Sequence, residues 1–80
     1  MSADKRLAQM RANPRDWRIE DLKVVARRHG VTWRQPGTSH VTFRALHGGK
    51  VTVPARKPIK PVYIRQFVAL IDSLGPQRDA

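Results

Sequence analysis

Between residues 31 and 53 the chain alternates apolar and polar side chains in three short runs, and this alternation limits what it can fold into. Successive side chains on a strand point to opposite faces, so a period of two gives a sheet with one apolar and one polar side. Residues 31–35 set Val31 and Trp33 against Thr32 and Arg34. Residues 40–46 set Val41, Phe43 and Ala45 against His40, Thr42 and Arg44, and residues 50–53 set Val51 and Val53 against Lys50 and Thr52. Pro36-Gly37 and His47-Gly48-Gly49 supply the turns, with glycines available for positive φ. The expectation is a three-stranded antiparallel meander with a single face to bury.

Segments of helical period flank these runs. Ile19, Leu22, Val25 and Ala26 fall on one helix face, with Asp16 as the expected N-cap and Glu20 and Asp21 in the first turn. Gly30 is a natural stop. A closing helix starts near Pro61, carries Tyr63, Ile64, Phe67, Leu70, Ile71 and Leu74 on one stripe, and ends at Gly75-Pro76. Residues 2–12 suit a short helix with Leu7 and Met10 three apart, broken by Asn13-Pro14. The fold class expected is α+β in the order helix, three strands, helix, with both helices on the one apolar sheet face. Residues 1–15 are read as an N-terminal extension, 16–75 as the domain and 76–80 as a tail.

At 80 residues the chain has room for one domain with a thin core. It contains no cysteine, so no disulfide or thiolate metal site is available to reinforce it. The longest apolar run, residues 67–71, is far short of the ~20 residues that span a bilayer. The opening MSADKRLAQM holds no apolar signal core. These features lead us to expect a cytoplasmic protein.

Sixteen Lys and Arg face six Asp and Glu, a formal charge of +10. The acids are Asp4, Asp16, Glu20, Asp21, Asp72 and Asp79, and none falls within residues 22–71. Lys23, Arg27, Arg28, Arg34, Arg44, Lys50, Arg56, Lys57, Lys60 and Arg65 all lie in that interval. An uncompensated positive field attracts polyanions and gains affinity from counterion release. A basic surface that serves only solubility is the plainer reading. An anionic membrane fits less well, because no helix opposes a Lys-rich face to Trp or Phe anchors.

The uncovered sheet face is expected to present Thr32, Arg34, His40, Thr42, Arg44, Lys50 and Thr52. Such a set suits a phosphodiester backbone: cations and hydroxyls hold phosphates, and an imidazole can move a proton near neutral pH. RNA scission needs a base, an acid and cations on the charged phosphorane, and a histidine can serve either proton step. An acid-free interval argues against a two-metal nuclease, and no carboxylate lies near His40 in sequence to build a Ser-His-Asp hydrolase. We expect neither metal nor cofactor. A lone strand histidine is, equally, an ordinary surface residue. His29 reads as a helix C-terminal cation, His47 as a turn residue, and Trp17, Trp33 and Tyr63 as packing residues. Arg56, Lys57 and Lys60 form a basic loop beside the sheet.

The stretch GTSHVTF at residues 37–43, KVTVP at 50–54, then Ile59-Lys60 and Ile64-Arg65, resembles the HicA toxin family in order and spacing. The likeness covers about residues 16–74. It implies the fold of double-stranded-RNA-binding domains, metal-free endoribonuclease activity that cleaves mRNA, and a HicB-like antitoxin as partner. The family's catalytic histidine falls on His40, and its turn on Gly37 and Ser39. Arg34, Thr42, Arg44, Lys50, Thr52, Arg56, Lys57 and Lys60 are the expected RNA contacts. Thr38 is an extra residue in the motif, and Ala55-Arg56 stands where many relatives have a histidine, so the general acid is left open. A non-catalytic RNA-binding module of the same fold is the alternative. A DNA-binding helix-turn-helix fits poorly, because strands separate the helices.

Overall fold

The alternating segments pair into one sheet. The computed structural model describes residues 3–37 and 39–74. Its elements are α1 (Ala3–Ala12), α2 (Ile19–Arg28), β1 (Thr32–Arg34), β2 (His40–Arg44), β3 (Lys50–Pro54) and α3 (Pro61–Asp72). The sheet order is β1-β2-β3 with both pairs antiparallel. Phe43 sits between Trp33 and Val51, and Val41 faces Val53. A one-residue slip would turn these side chains out to solvent, so burial of Val41, Phe43 and Val53 fixes the register.

Helices α2 and α3 cover the apolar face. Leu22, Val25 and Ala26 of α2 and Ile64 and Phe67 of α3 are fully buried against the sheet residues. The Phe43 and Phe67 rings meet edge-on with centroids 4.9 Å apart. Side chains of this size each contribute about 1.5–3 kcal/mol when fully buried. Helix α1 adds a further element ahead of the expected order. It lies against α2 and α3, and its Met10, 1% exposed, belongs to the same core. Arg6 pairs with Asp21 at 3.1 Å, and Arg11 reaches Asp72. No described helix is long and apolar enough to cross a membrane.

Several ends differ from the sequence expectation. Asp16 is not the N-cap of α2. It sits at φ 66, in the left-handed region that a short polar side chain tolerates, and Arg18 holds the cap position. The Asp21 carboxylate accepts from the Arg18 N–H at 3.1 Å, while the Asp21 N–H donates to the Arg18 carbonyl at 3.0 Å. The first-turn acid thus satisfies the N–H of the cap residue itself, the reciprocal half of a capping box, and not the helical N–H that Asp16 was expected to take. Gly30, at φ 74, stops α2 as expected, and the Val31 N–H turns back to the Ala26 carbonyl at 2.8 Å. Val31 is therefore buried in the helix-to-strand turn rather than in the strand.

Strand β2 ends at Arg44, two residues early. The Ala45 N–H donates to the Gly49 carbonyl and the Gly48 N–H to the Ala45 carbonyl, with Gly48 at φ 103. Leu46 consequently points out of the hairpin, 95% exposed. His47 folds back instead. Its Nδ1 accepts from the Gly49 N–H at 3.1 Å and its Nε2 lies 2.8 Å from Ser73 Oγ, tying the hairpin to the end of α3. Thr38, the Gly75-Pro76 stop and the 76–80 tail lie outside the described residues.

Candidate nucleic-acid interface

The register lays the polar face out in rows across the strands. Thr32, Arg44 and Lys50 form one row, Arg34, Thr42 and Thr52 the next, and His40 stands beside Pro54 in the third. The Thr42 and Thr52 hydroxyl oxygens are 3.0 Å apart. Arg44 and Lys50 are direct cross-strand partners. Like charges placed opposite each other cost stability in the free sheet, and an anion lying between them removes that cost. With Trp33 and Pro36, the first two rows line a shallow groove of about 420 Å³.

A second depression opens at the His40 end. It measures about 500 Å³ and is lined by Ser39, His40, Pro54, Ala55, Arg56, Pro58, Lys60 and Tyr63. Three pieces of backbone place these residues. Pairing of His40 with Pro54, extended by the Ala55 N–H to Ser39 carbonyl bond at 2.8 Å, fixes the strand ends. The Ile59 N–H donates to the Trp17 carbonyl at 2.9 Å and anchors the basic loop. Lys60 then holds the N-cap position of α3, whose first turn brings Tyr63 into the lining.

The described carboxylates are confined to the helical layer, whereas cations occur in both layers. Asp4, Glu20, Asp21 and Asp72 lie on helices and Asp16 just ahead of α2. The described ion pairs Arg6–Asp21, Arg11–Asp72 and Arg28–Asp4 all join helices to one another. Arg34, Arg44, Lys50, Arg56 and Lys60 make no ion pair with a described residue. Helices α1 and α2 carry acids in their first turns, whereas α3, which starts at the pocket, carries none. The positive end of its dipole therefore adds to the fields of Arg56 and Lys60.

The expected site residues thus fall into two neighbouring groups. Arg34, Thr42, Arg44, Lys50 and Thr52 share the sheet groove, while Ser39, His40, Arg56 and Lys60 share the pocket. Lys57 is exposed on the loop and lines neither. Gly37 does not adopt positive φ, and a Cβ there would meet open space. Tyr63 packs against the core, as its stripe position implied, and also lines the pocket, which the sequence pattern does not mark. Trp33 packs on Phe43 and beneath Lys23 and Arg27 of α2, at 5.9 and 5.5 Å from its ring centre. His29 is not an exposed terminal cation. Its side chain is 7% exposed, and burial pushes its pKa down, against the pull of Asp4 and with the help of Arg28. No group of three or more His, Cys, Asp or Glu that could hold a metal ion occurs among the described residues. The chain matches no protein-family model, no curated protein and no solved structure.

Proposed function

We propose that this chain is an endoribonuclease of the HicA toxin type that binds mRNA on its open sheet face and cleaves it with His40. One observation carries the reading: His40 stands where the acid-free sheet groove meets a pocket bordered by Arg56 and Lys60. An RNA backbone would lie along Arg34, Arg44 and Lys50, with Thr32, Thr42 and Thr52 hydrogen-bonding its phosphates. The scissile phosphate would then reach the pocket mouth. There the His40 imidazole takes the proton from the attacking 2′-hydroxyl, or from a water, or delivers one to the leaving 5′-oxygen. Arg56 and Lys60 offset the charge that builds on phosphorus. The family likeness of residues 37–43 and 50–54 supports the same assignment and adds a HicB-like antitoxin partner and a cytoplasmic setting. The surface that binds RNA is also the surface an acidic antitoxin would cover.

A non-catalytic RNA-binding module is the second reading. It is favoured by the fact that His40 makes no side-chain hydrogen bond to a described residue that would orient its ring. The two readings separate in an assay of growth and RNA integrity with wild type and His40→Ala, with and without excess EDTA. The nuclease reading expects cleavage by wild type in both conditions and none by folded His40→Ala. Full toxicity in the folded variant would sink the assignment of His40.

A further inference from the structure

We propose that the pocket between His40 and Tyr63 receives one unstacked nucleobase, which makes single-stranded RNA the substrate and excludes the intact duplex. The inference deepens the proposed function and rests on it. A phosphate or a sugar-phosphate backbone needs cations and donors, and the sheet groove already supplies them. The pocket offers something else. Pro54, Ala55, Pro58 and the Tyr63 ring give it apolar walls, with Arg56 and Lys60 at its edge. Apolar walls with a few convergent polar groups suit a flat heteroaromatic ligand, and about 500 Å³ lies within the range of small-ligand sites.

Tyr63 is the residue that gives the pocket this character. It is only half-buried, and its hydroxyl makes no hydrogen bond to a described residue. It lies in the first turn of α3, where its N–H reaches the Lys60 carbonyl at 3.0 Å, and both residues line the pocket. A base stacked on Tyr63 would leave its own phosphate near Lys60 and Arg56, and Ser39 could read its edge. Stacking of this kind tolerates any base, because each presents a π-face. A base held in an A-form helix cannot enter, since its faces are covered by its neighbours. An enzyme that draws one base aside also turns the adjoining phosphodiester out of its helical geometry, toward His40.

The test uses the full chain carrying His40→Ala, so that RNA stays uncut. Its affinity is measured by fluorescence anisotropy for a single-stranded oligonucleotide containing 2-aminopurine and for the same sequence as a duplex. The expected result is single-strand binding at least about tenfold tighter, with a change in 2-aminopurine emission on binding. Adding Tyr63→Ala should weaken the single-strand complex about tenfold or more and leave duplex binding nearly unchanged, while Tyr63→Phe stays within about twofold. Ala55→Leu, which fills the pocket without removing a group, should mimic Tyr63→Ala, and circular dichroism checks the fold of each variant. Equal affinity for single strand and duplex overturns the pocket assignment and leaves RNA binding standing. So does undiminished single-strand affinity in the folded Tyr63→Ala protein. Failure to bind either form overturns the RNA reading itself.

Discussion

Arg11 and Asp72 join α1 to α3 by two parallel hydrogen bonds, Nη1 to Oδ2 at 2.6 Å and Nη2 to Oδ1 at 2.9 Å. The guanidinium holds the Asp72 carboxyl below its ordinary range, chiefly through these bonds. Both groups face solvent, where such pairs add little to stability. What fastens α1 is Met10 in the core. Met10→Ala should therefore cost about 2–5 kcal/mol in urea unfolding, and Arg11→Ala distinctly less. The reverse order would show that α1 is held by its charges.

Phe43→Ala should destabilise the protein by about 3–5 kcal/mol. Phe43 is fully buried at the middle of the central strand, flanked by Trp33 and Val51 and met by Phe67 from above. For so small a domain that loss approaches its whole stability. A melting temperature within a few degrees of wild type would contradict the placement of Phe43 in the core.

His29 gives the fold a pH dependence. Burial lowers its pKa in the folded chain, so the unfolded chain binds the proton more readily. The stability owed to the neutral ring is complete above about pH 6.5 and is lost as pH falls from there through the lower folded-state value. Wild type should lose melting temperature between about pH 7 and 5, and His29→Gln should lose less. Parallel curves for the two proteins would count against this account.

Arg44→Glu replaces a cation in the Thr32–Arg44–Lys50 row by an anion. It should weaken RNA binding and antitoxin binding together, with a shallower salt dependence for RNA. The change should cost the fold little, because Arg44 is exposed and a Glu there would face Lys50 favourably. A variant that lost RNA but kept the antitoxin at full affinity would separate the two surfaces.

The sheet and its two covering helices were legible because each buries one face at its own period: two for residues 41, 43 and 53, near 3.6 for residues 22, 25, 64 and 67. The open-face residues followed from the same alternation. Helix α1 was faint because only Leu7 and Met10 mark its inner side, and one of them carries its burial. The cap of α2 differs from the expectation because Asp16 turns away at positive φ and Arg18, which no side-chain preference marks, takes the cap position. Tyr63 was hidden by its stripe: a helix face turned to the core also turns its first residue to whatever lies at the core's edge, and only the path of residues 55–60 makes that edge a pocket.

The uneven charge of the two layers has a kinetic meaning. The described carboxylates partly neutralise the cations of the helical layer and leave those of the sheet and its loop uncompensated, so the molecule has an electric dipole moment with the sheet as its more positive pole. Near a polyanion it experiences a torque as well as an attraction, so a larger share of collisions begin in the productive orientation. That advantage lasts only within the screening distance, about 8 Å at physiological ionic strength. Two copies of the chain repel where their sheets face, which discourages pairing through the very surface left open for a ligand.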